Sequence, residues 1–223
     1  MIGKRICTTL LQRNSTTTPA IRLFSTIQTI RSRHPVQWNQ HNHSNMSTFI
    51  DKHNTQKSAN SRKMYKTVNH LPEELRVKVV DMLQPTLADS LDIKTQIKQA
   101  HWNVKGPSFI GLHYLFDEIA EAAEEWVDNV AERLVQLGGV AEGTLRSCAA
   151  RTTLPEYPLT ISNGSDHVSA LSSALAAYNH ACRTKARAVE DAGDQGTADV
   201  LDDICDDLAK WQWFVEAHNQ AEK

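Results

Sequence analysis

The chain has 223 residues, 40% apolar and 22% charged, the balance of an ordinary folded domain with a tail. No run approaches the roughly 18 to 20 apolar residues of a membrane-spanning helix, and the four cysteines (Cys7, Cys148, Cys182, Cys205) include no Cys-x-x-Cys pair, which argues against a zinc ribbon or disulfide framework and predicts reduced thiols in an intracellular or organellar compartment. The net charge of −2 hides a split: residues 1–70 carry eleven Lys or Arg against the single acid Asp51, so by subtraction residues 71–223 hold 13 basic and 25 acidic side chains, the pattern of a basic arm for an anionic partner on an acidic body.

Residues 1–45 contain no acid and are rich in Ser, Thr and Arg; Ile6, Leu10 and Leu11 are set against Lys4, Arg5 and Arg13. This is the composition of an organellar transit peptide, and "RLFST", with Arg22 two residues before a cut after Phe24, resembles a mitochondrial processing site. The segment therefore predicts a mitochondrial address; the alternative is an upstream extension of a protein of the cytoplasm or nucleoid that starts at Met46. Residues 46–70 are polar and basic (Lys52, Lys57, Arg62, Lys63, Lys66) and bury too little apolar surface to offset chain entropy, so they are predicted to form a disordered tail.

The folded domain is predicted over residues 71–223 and reads as helix throughout. Pro72, followed by Glu73 and Glu74, suits a first helical turn. Leu83, Leu87, Leu91, Thr95 and the pair Ile93 and Ile97 recur at three and four, predicting a helix to about Val104 with Pro85 at a kink or restart. "KGPS" at 105–108 breaks the chain, and a second helix runs from about Phe109 to Leu137, closed by Gly138-Gly139. A connection of roughly 25 residues follows, long enough to carry a small element of its own. Asp166 or Ser165 caps a third helix to about Ala192; Gly193 separates it from a fourth, about Thr197 to Ala221. Four helices with one long connection between the second and third predict an all-α four-helix bundle with a crossover.

The second helix carries the chemistry. At 100° per residue, Leu112, Leu115, Phe116, Ile119, Ala123, Trp126, Val127, Val130, Leu134 and Leu137 make the core face. His113, Asp117, Glu121, Glu124, Asp128 and Glu132 form a separate stripe. Acids on an outer helix face are ordinarily just solvated. Here the stripe has no Lys or Arg at its spacing partners to relieve the repulsion, it includes a histidine, and His101 lies just before the preceding turn, where it can fold back toward His113. Imidazole with carboxylate is a ligand set for iron, manganese or zinc.

His113 and Glu132 are, however, about 28 Å apart along one helix at 1.5 Å per residue. A second copy run antiparallel, with facing positions summing to 245, sets Glu132 against His113 and Asp128 against Asp117 in one register. An isologous dimer then builds two identical sites, each with His101, His113 and Asp117 from one chain and Asp128 and Glu132 from the other. The alternative of a bundle, a di-iron site within one chain on Glu-x-x-His motifs, finds no such motif here, and His167, His180 and His218 are isolated.

The stretch "IKQAHWNVKGPSFIGLHYLFDEIAEAAEEWVDNVAERLVQLGG", with "TADVLDDICDDLAKWQWFVE" near the end, resembles the Dps family of ferritin-like miniferritins over about residues 70–221. The resemblance implies a ferritin-like fold, a hollow dodecamer, and a ferroxidase centre at each two-fold interface. His101, His113 and Asp117 match ligands from one subunit, Asp128 and Glu132 those from its neighbour, and Trp102 the aromatic beside the iron. The family oxidises Fe(II) to Fe(III), by preference with hydrogen peroxide rather than oxygen, and stores the mineral inside. By the same resemblance, acids near the start of the fourth helix, with Asp194 and Asp199 the candidates, line pores for entering cations, and the basic arm resembles tails that some members use on DNA, where many copies multiply weak phosphate contacts. The competing readings are a DNA-packaging protein with a vestigial iron site and a helical scaffold with a solvated acidic stripe.

Overall fold

The computed structural model describes residues 63–220; residues 1–45 and the tail positions Lys52, Lys57 and Arg62 lie outside the described residues. Among the described residues five helices follow in order: α1 Glu73–Asn103, α2 Phe109–Gln136, α3 Leu145–Ala149, α4 Gly164–Asp191 and α5 Gln195–Glu216. The four long helices form the bundle: α1 packs on α2 and α4, α5 packs on α4 and α2, and the short α3 rests on α1 within the crossover. Among the described residues no helix is long and apolar enough to cross a membrane.

The core follows the apolar spacing. From α2 it takes Leu112, Phe116, Ile119, Ala123, Trp126, Val130 and Leu134, with Leu115 and Val127 only partly buried at its edge. α1 contributes Leu83, Leu87, Ile93 and Ile97; α4 Leu171, Leu175 and Tyr178; α5 Leu201, Ile204 and Leu208. The buried Tyr178 hydroxyl shares a 2.5 Å hydrogen bond with Ser90, which satisfies both polar groups inside the apolar interior.

Several ends differ from the sequence expectation. Pro85 lies inside α1, which runs through it as one helix without a restart. Pro72 holds the capping position before Glu73 rather than the first turn. α4 is capped by Asn163, whose side chain accepts from the Asp166 amide at 2.9 Å, so Asp166 lies in the first turn and Ser165 caps nothing. α5 starts earlier, on an Asp194 cap, and ends at Glu216 rather than near Ala221.

Two carboxylates of α1 fasten the crossover, Asp92 by accepting from the Thr152 hydroxyl at 2.6 Å and Asp89 by a fuller set of bonds. Buried Asp89 of α1 accepts from the Thr153 amide at 2.6 Å, the Thr153 hydroxyl at 2.9 Å and the Thr152 hydroxyl at 3.1 Å. Burial pushes its carboxyl above the usual range, while these hydrogen bonds pull the other way.

The tail does not run free to residue 70. The Tyr65 amide donates to the Gly138 carbonyl at 2.7 Å, Met64 packs on the core, and Arg76 bonds the Leu137 and Leu71 carbonyls at 2.9 and 3.2 Å. Gly138 has φ +90°, and a Cβ there would stand 2.6 Å from the Tyr65 carbonyl oxygen. Glycine is thus needed twice over, to end α2 and to let the strap lie down.

Candidate metal centre

The end of α1 and the start of α2 are joined by a bend over residues 104–108 and by a reciprocal exchange between two histidines. The Nδ1 of His101 lies 2.8 Å from the His113 carbonyl oxygen, and the Nδ1 of His113 lies 2.9 Å from the His101 carbonyl oxygen. A carbonyl only accepts, so both Nδ1 atoms carry hydrogen and donate. That fixes the tautomer and leaves Nε2 as the lone-pair nitrogen of each ring, the arrangement a metal-binding imidazole takes from its outer partners. The rings stack at 3.8 Å between centroids, 21° from parallel, and Phe109 packs on His113 at 5.1 Å. His101 is 9% exposed, so its ring is held by packing as well as by the hydrogen bond.

The exchange has a second effect. The His101 carbonyl is in the last turn of α1, where the helix provides no amide for it; the His113 ring satisfies it. The negative end of α1 is therefore directed at the two rings, an electrostatic setting that favours a cation.

Asp117, one turn beyond His113, completes this end. Lys98 of α1 donates to its Oδ1 at 2.6 Å, and His101 Nδ1 stands 3.9 Å from the same oxygen. The Lys98 ammonium holds the Asp117 carboxyl below the usual carboxylate range, with smaller pulls from His101 and His113. A second lysine, Lys94, ion-pairs with Glu124. The stripe thus has basic relief, supplied by α1 rather than by α2 itself. The signal was in the sequence: Lys94, Lys98 and His101 stand at i, i+4 and i+7, which puts all three on one face of α1. Trp102 beside them is 67% exposed, with Lys98 Nζ 5.9 Å from its ring.

Asp128 and Glu132 lie at the far end of α2, exposed, and neither makes a hydrogen bond or ion pair among the described residues. The structure brings together three of the five predicted ligands and leaves two apart. Among the described residues no three His, Cys, Asp or Glu side chains of one copy converge as a metal-holding group. The trio of His101, His113 and Asp117 falls short by itself, with one carboxylate oxygen engaged by Lys98.

The other candidates separate clearly. Asp194 is 2% exposed; it caps α5 by accepting from the Thr197 amide at 3.1 Å and hydroxyl at 2.5 Å, and it accepts from Arg133 at 2.8 Å. Its carboxylate is spent within the chain, which disfavours a pore role. Asp199 is exposed and accepts from Gln195 at 2.8 Å. Lys63 and Lys66 are on the strap, Lys63 exposed over the Tyr65 ring at 4.4 Å. His167 is buried against Tyr157, whose hydroxyl is 2.8 Å from its Nδ1, whereas His180 and His218 are exposed.

This arrangement has relatives. The ferritin-like domain family matches residues 80–223. The chain is 40% identical over 161 residues to the DNA protection during starvation protein of Agrobacterium fabrum, covering 71% of this chain and 98% of that one. It is 32% identical over 154 residues to the protein of the same name from Mycolicibacterium smegmatis, covering 68% and 82%. In three dimensions it resembles DpsA14 from Streptomyces coelicolor, with a TM-score of 0.68 at 29% identity over 73% of this chain and 96% of that one. With the bundle, the crossover and the histidine pair on α1 and α2, these likenesses establish that the chain belongs to the Dps family of ferritin-like proteins.

Proposed function

We propose that the protein is a ferroxidase and iron store that works as an assembly of copies, a dodecamer by its family likeness. His101, His113 and Asp117 of one copy and Asp128 and Glu132 of the next bind Fe(II) as substrate. The observation that carries this reading is the reciprocal bonding of His101 and His113. Besides closing the end of α1, two imidazoles fixed as Nδ1–H tautomers beside a carboxylate kept ionised suit a borderline cation.

The chemistry follows from the donors. Carboxylates favour Fe(III) over Fe(II), which drives oxidation, and a site with few protein ligands leaves positions open for an oxidant. Each Fe(II) gives up one electron; hydrogen peroxide takes two and its O–O bond breaks to water or hydroxide, so no hydroxyl radical is released. Oxygen is the slower alternative oxidant. The ferric product hydrolyses to mineral in the hollow of the assembly, and Asp199 is the remaining candidate for a cation path into it.

The test is peroxide-driven Fe(II) oxidation by the sized oligomer. Replacing His101 and His113 with Ala, or Asp128 and Glu132 with Asn and Gln, should lower the rate at least ~100-fold with assembly intact, since these groups contact the reacting ion. Unchanged oxidation would dismiss the site. For the basic arm we propose phosphate contacts with DNA through Lys52, Lys57, Arg62, Lys63 and Lys66; replacing these five with Gln, which leaves Met64 and Tyr65 in place, should abolish gel retardation at low salt. For residues 1–45 we propose mitochondrial targeting, checked by imaging a reporter fusion.

A further inference from the structure

Two thiols of the bundle have no part in the iron reading. Cys182 of α4 and Cys205 of α5 are both buried and free. They meet across the α4–α5 seam, thiol to thiol in a hydrogen bond. The backbone explains the meeting. Asn179 of α4 holds Cys205 from two sides: its side-chain amide donates to the Cys205 carbonyl at 3.2 Å, and its own carbonyl oxygen lies 3.9 Å from the Cys205 Sγ. Cys182 stands three residues beyond Asn179, and a helical side chain leans back over the turn before it, so the Cys182 thiol is directed at the same place. A buried cysteine is ordinarily a small apolar filler. The next turns of this face of α4 are filled by Ala186 and Val189, so packing alone does not call for sulfur here, still less for two sulfurs in contact.

The two thiols are unequal. Cys182 donates its S–H to Cys205, and this bond holds the Cys205 thiol below its ordinary value, against burial; Arg183 helps, and Asp202 and Asp206 oppose. Cys182 is held well above the ordinary value by the same bond and by burial. One sulfur is the better thiolate and the other keeps its proton, the division between an attacking and a resolving cysteine.

We propose that Cys182 and Cys205 form a dithiol that reduces hydrogen peroxide and closes to a disulfide between α4 and α5. The Cys205 thiolate attacks one oxygen of the peroxide: the S–O bond forms, the O–O bond breaks, and the departing hydroxide takes a proton to become water. The Cys182 sulfur then attacks the sulfur of the Cys205 sulfenic acid. The S–S bond forms, the S–O bond breaks, and the Cys182 proton leaves with the hydroxyl as a second water. Two thiols together lose two electrons, and one peroxide becomes two waters. The sulfurs need only close from hydrogen-bond contact to about 2.05 Å. Access is through a weak point: beside the thiols α4 and α5 are joined at the surface by Arg183 and Asp206, 3.4 Å apart with side chains 46% and 84% exposed. A pair so exposed contributes little, and its parting admits a molecule as small as peroxide. The step uses no iron, so it is a second outlet for peroxide, and its test is separate from that of the iron site.

The experiment gives hydrogen peroxide to metal-free, fully reduced, full-length protein under native conditions. Thiols are counted after denaturation, and linked peptides are identified by mass spectrometry. Wild type should lose two of its four thiols and yield a peptide pair joined through Cys182 and Cys205. Cys182→Ser should halt the oxidation at a Cys205 sulfenic acid, captured by dimedone. Cys205→Ser should slow oxidation of Cys182 at least ~10-fold, because the remaining thiol keeps its proton. Circular dichroism and sedimentation check the fold and assembly of each variant; where serine is too polar for the core, Cys182→Ala and Cys205→Ala make the same test. Folded wild type that keeps both thiols through excess peroxide, or that links its four cysteines without preference, would overturn the proposal. Sulfenic acid trapped on Cys182 rather than Cys205 would overturn the assigned order.

Discussion

The two ends of α2 bring unlike contributions to the proposed iron site. At the His113 end the groups are assembled in advance: two rings with fixed tautomers, a capped α1 terminus and a carboxylate held ionised by Lys98. At the Asp128 end two carboxylates stand in water with no partner among the described residues. The difference shows where order is worth its entropy. Imidazoles must present one particular nitrogen, so the fold orients them; carboxylates bind through either oxygen and tolerate late ordering. Neither end holds a metal-binding group on its own.

The sharpest way to break the comparison is to separate the ends genetically. His113→Ala and Glu132→Gln should each abolish oxidation in a homogeneous assembly. Co-assembled in equal amounts, the two inactive variants should recover roughly a quarter of wild-type activity, because half of random pairs are mixed and each mixed pair holds one intact site of two. No recovery on verified mixing would mean that the ends do not meet.

A smaller effect is expected from removing the lysine that sets the ends apart. Lys98→Met should let the Asp117 carboxyl rise toward its ordinary value, visible by carbon NMR, since the Lys98 hydrogen bond is the main cause of its depression. Fe(II) affinity should then increase about three- to tenfold, because the cation no longer competes with an ammonium for Oδ1. An unchanged Asp117 titration would show that Lys98 does not control it.

The smallest effect concerns His167 of α4, where it meets Tyr157 of the crossover. Burial pushes the His167 imidazole below its ordinary range, while contacts with the backbone and Asp166 partly oppose this. The unfolded chain therefore takes up the proton first, so stability present above the ordinary histidine value of about 6.5 should be lost progressively as pH falls below it. His167→Gln should flatten that slope in thermal melts between about pH 7 and 5; an identical slope would assign the acid sensitivity elsewhere.

Much of this was legible in the sequence, and what was not has physical causes. The bundle was readable because apolar spacing on α2 is long and regular, and the core residues it named are buried, with Leu115 and Val127 only partly so. The separation of His113 from Glu132 was readable because helix rise is fixed. Helix ends were less so. Asn163 caps α4 although the chain offers Ser165 and Asp166 nearby, and α5 stops at Glu216 because "AHNQAEK" provides no large apolar residue to bury. Asp194 is ambiguous for a related reason: an acid before a helix reads equally as a pore ligand or a cap, and the partner that engages it here, Arg133, is 61 residues away. The Lys98–Asp117 contact is not legible from spacing along α2, because the answering charges stand on the neighbouring helix α1.

The exchange between His101 and His113 has a consequence for epistasis. Deleting the His113 ring leaves the His101 carbonyl at the end of α1 unanswered, deleting the His101 ring removes a donor to the His113 carbonyl, and either deletion takes away the surface on which the remaining ring stacks. The two positions therefore cannot contribute additively. In a double-mutant cycle the first substitution should account for most of the damage, and neither histidine can be gained, lost or moved to another scaffold as a single heritable step without its counterpart twelve residues away.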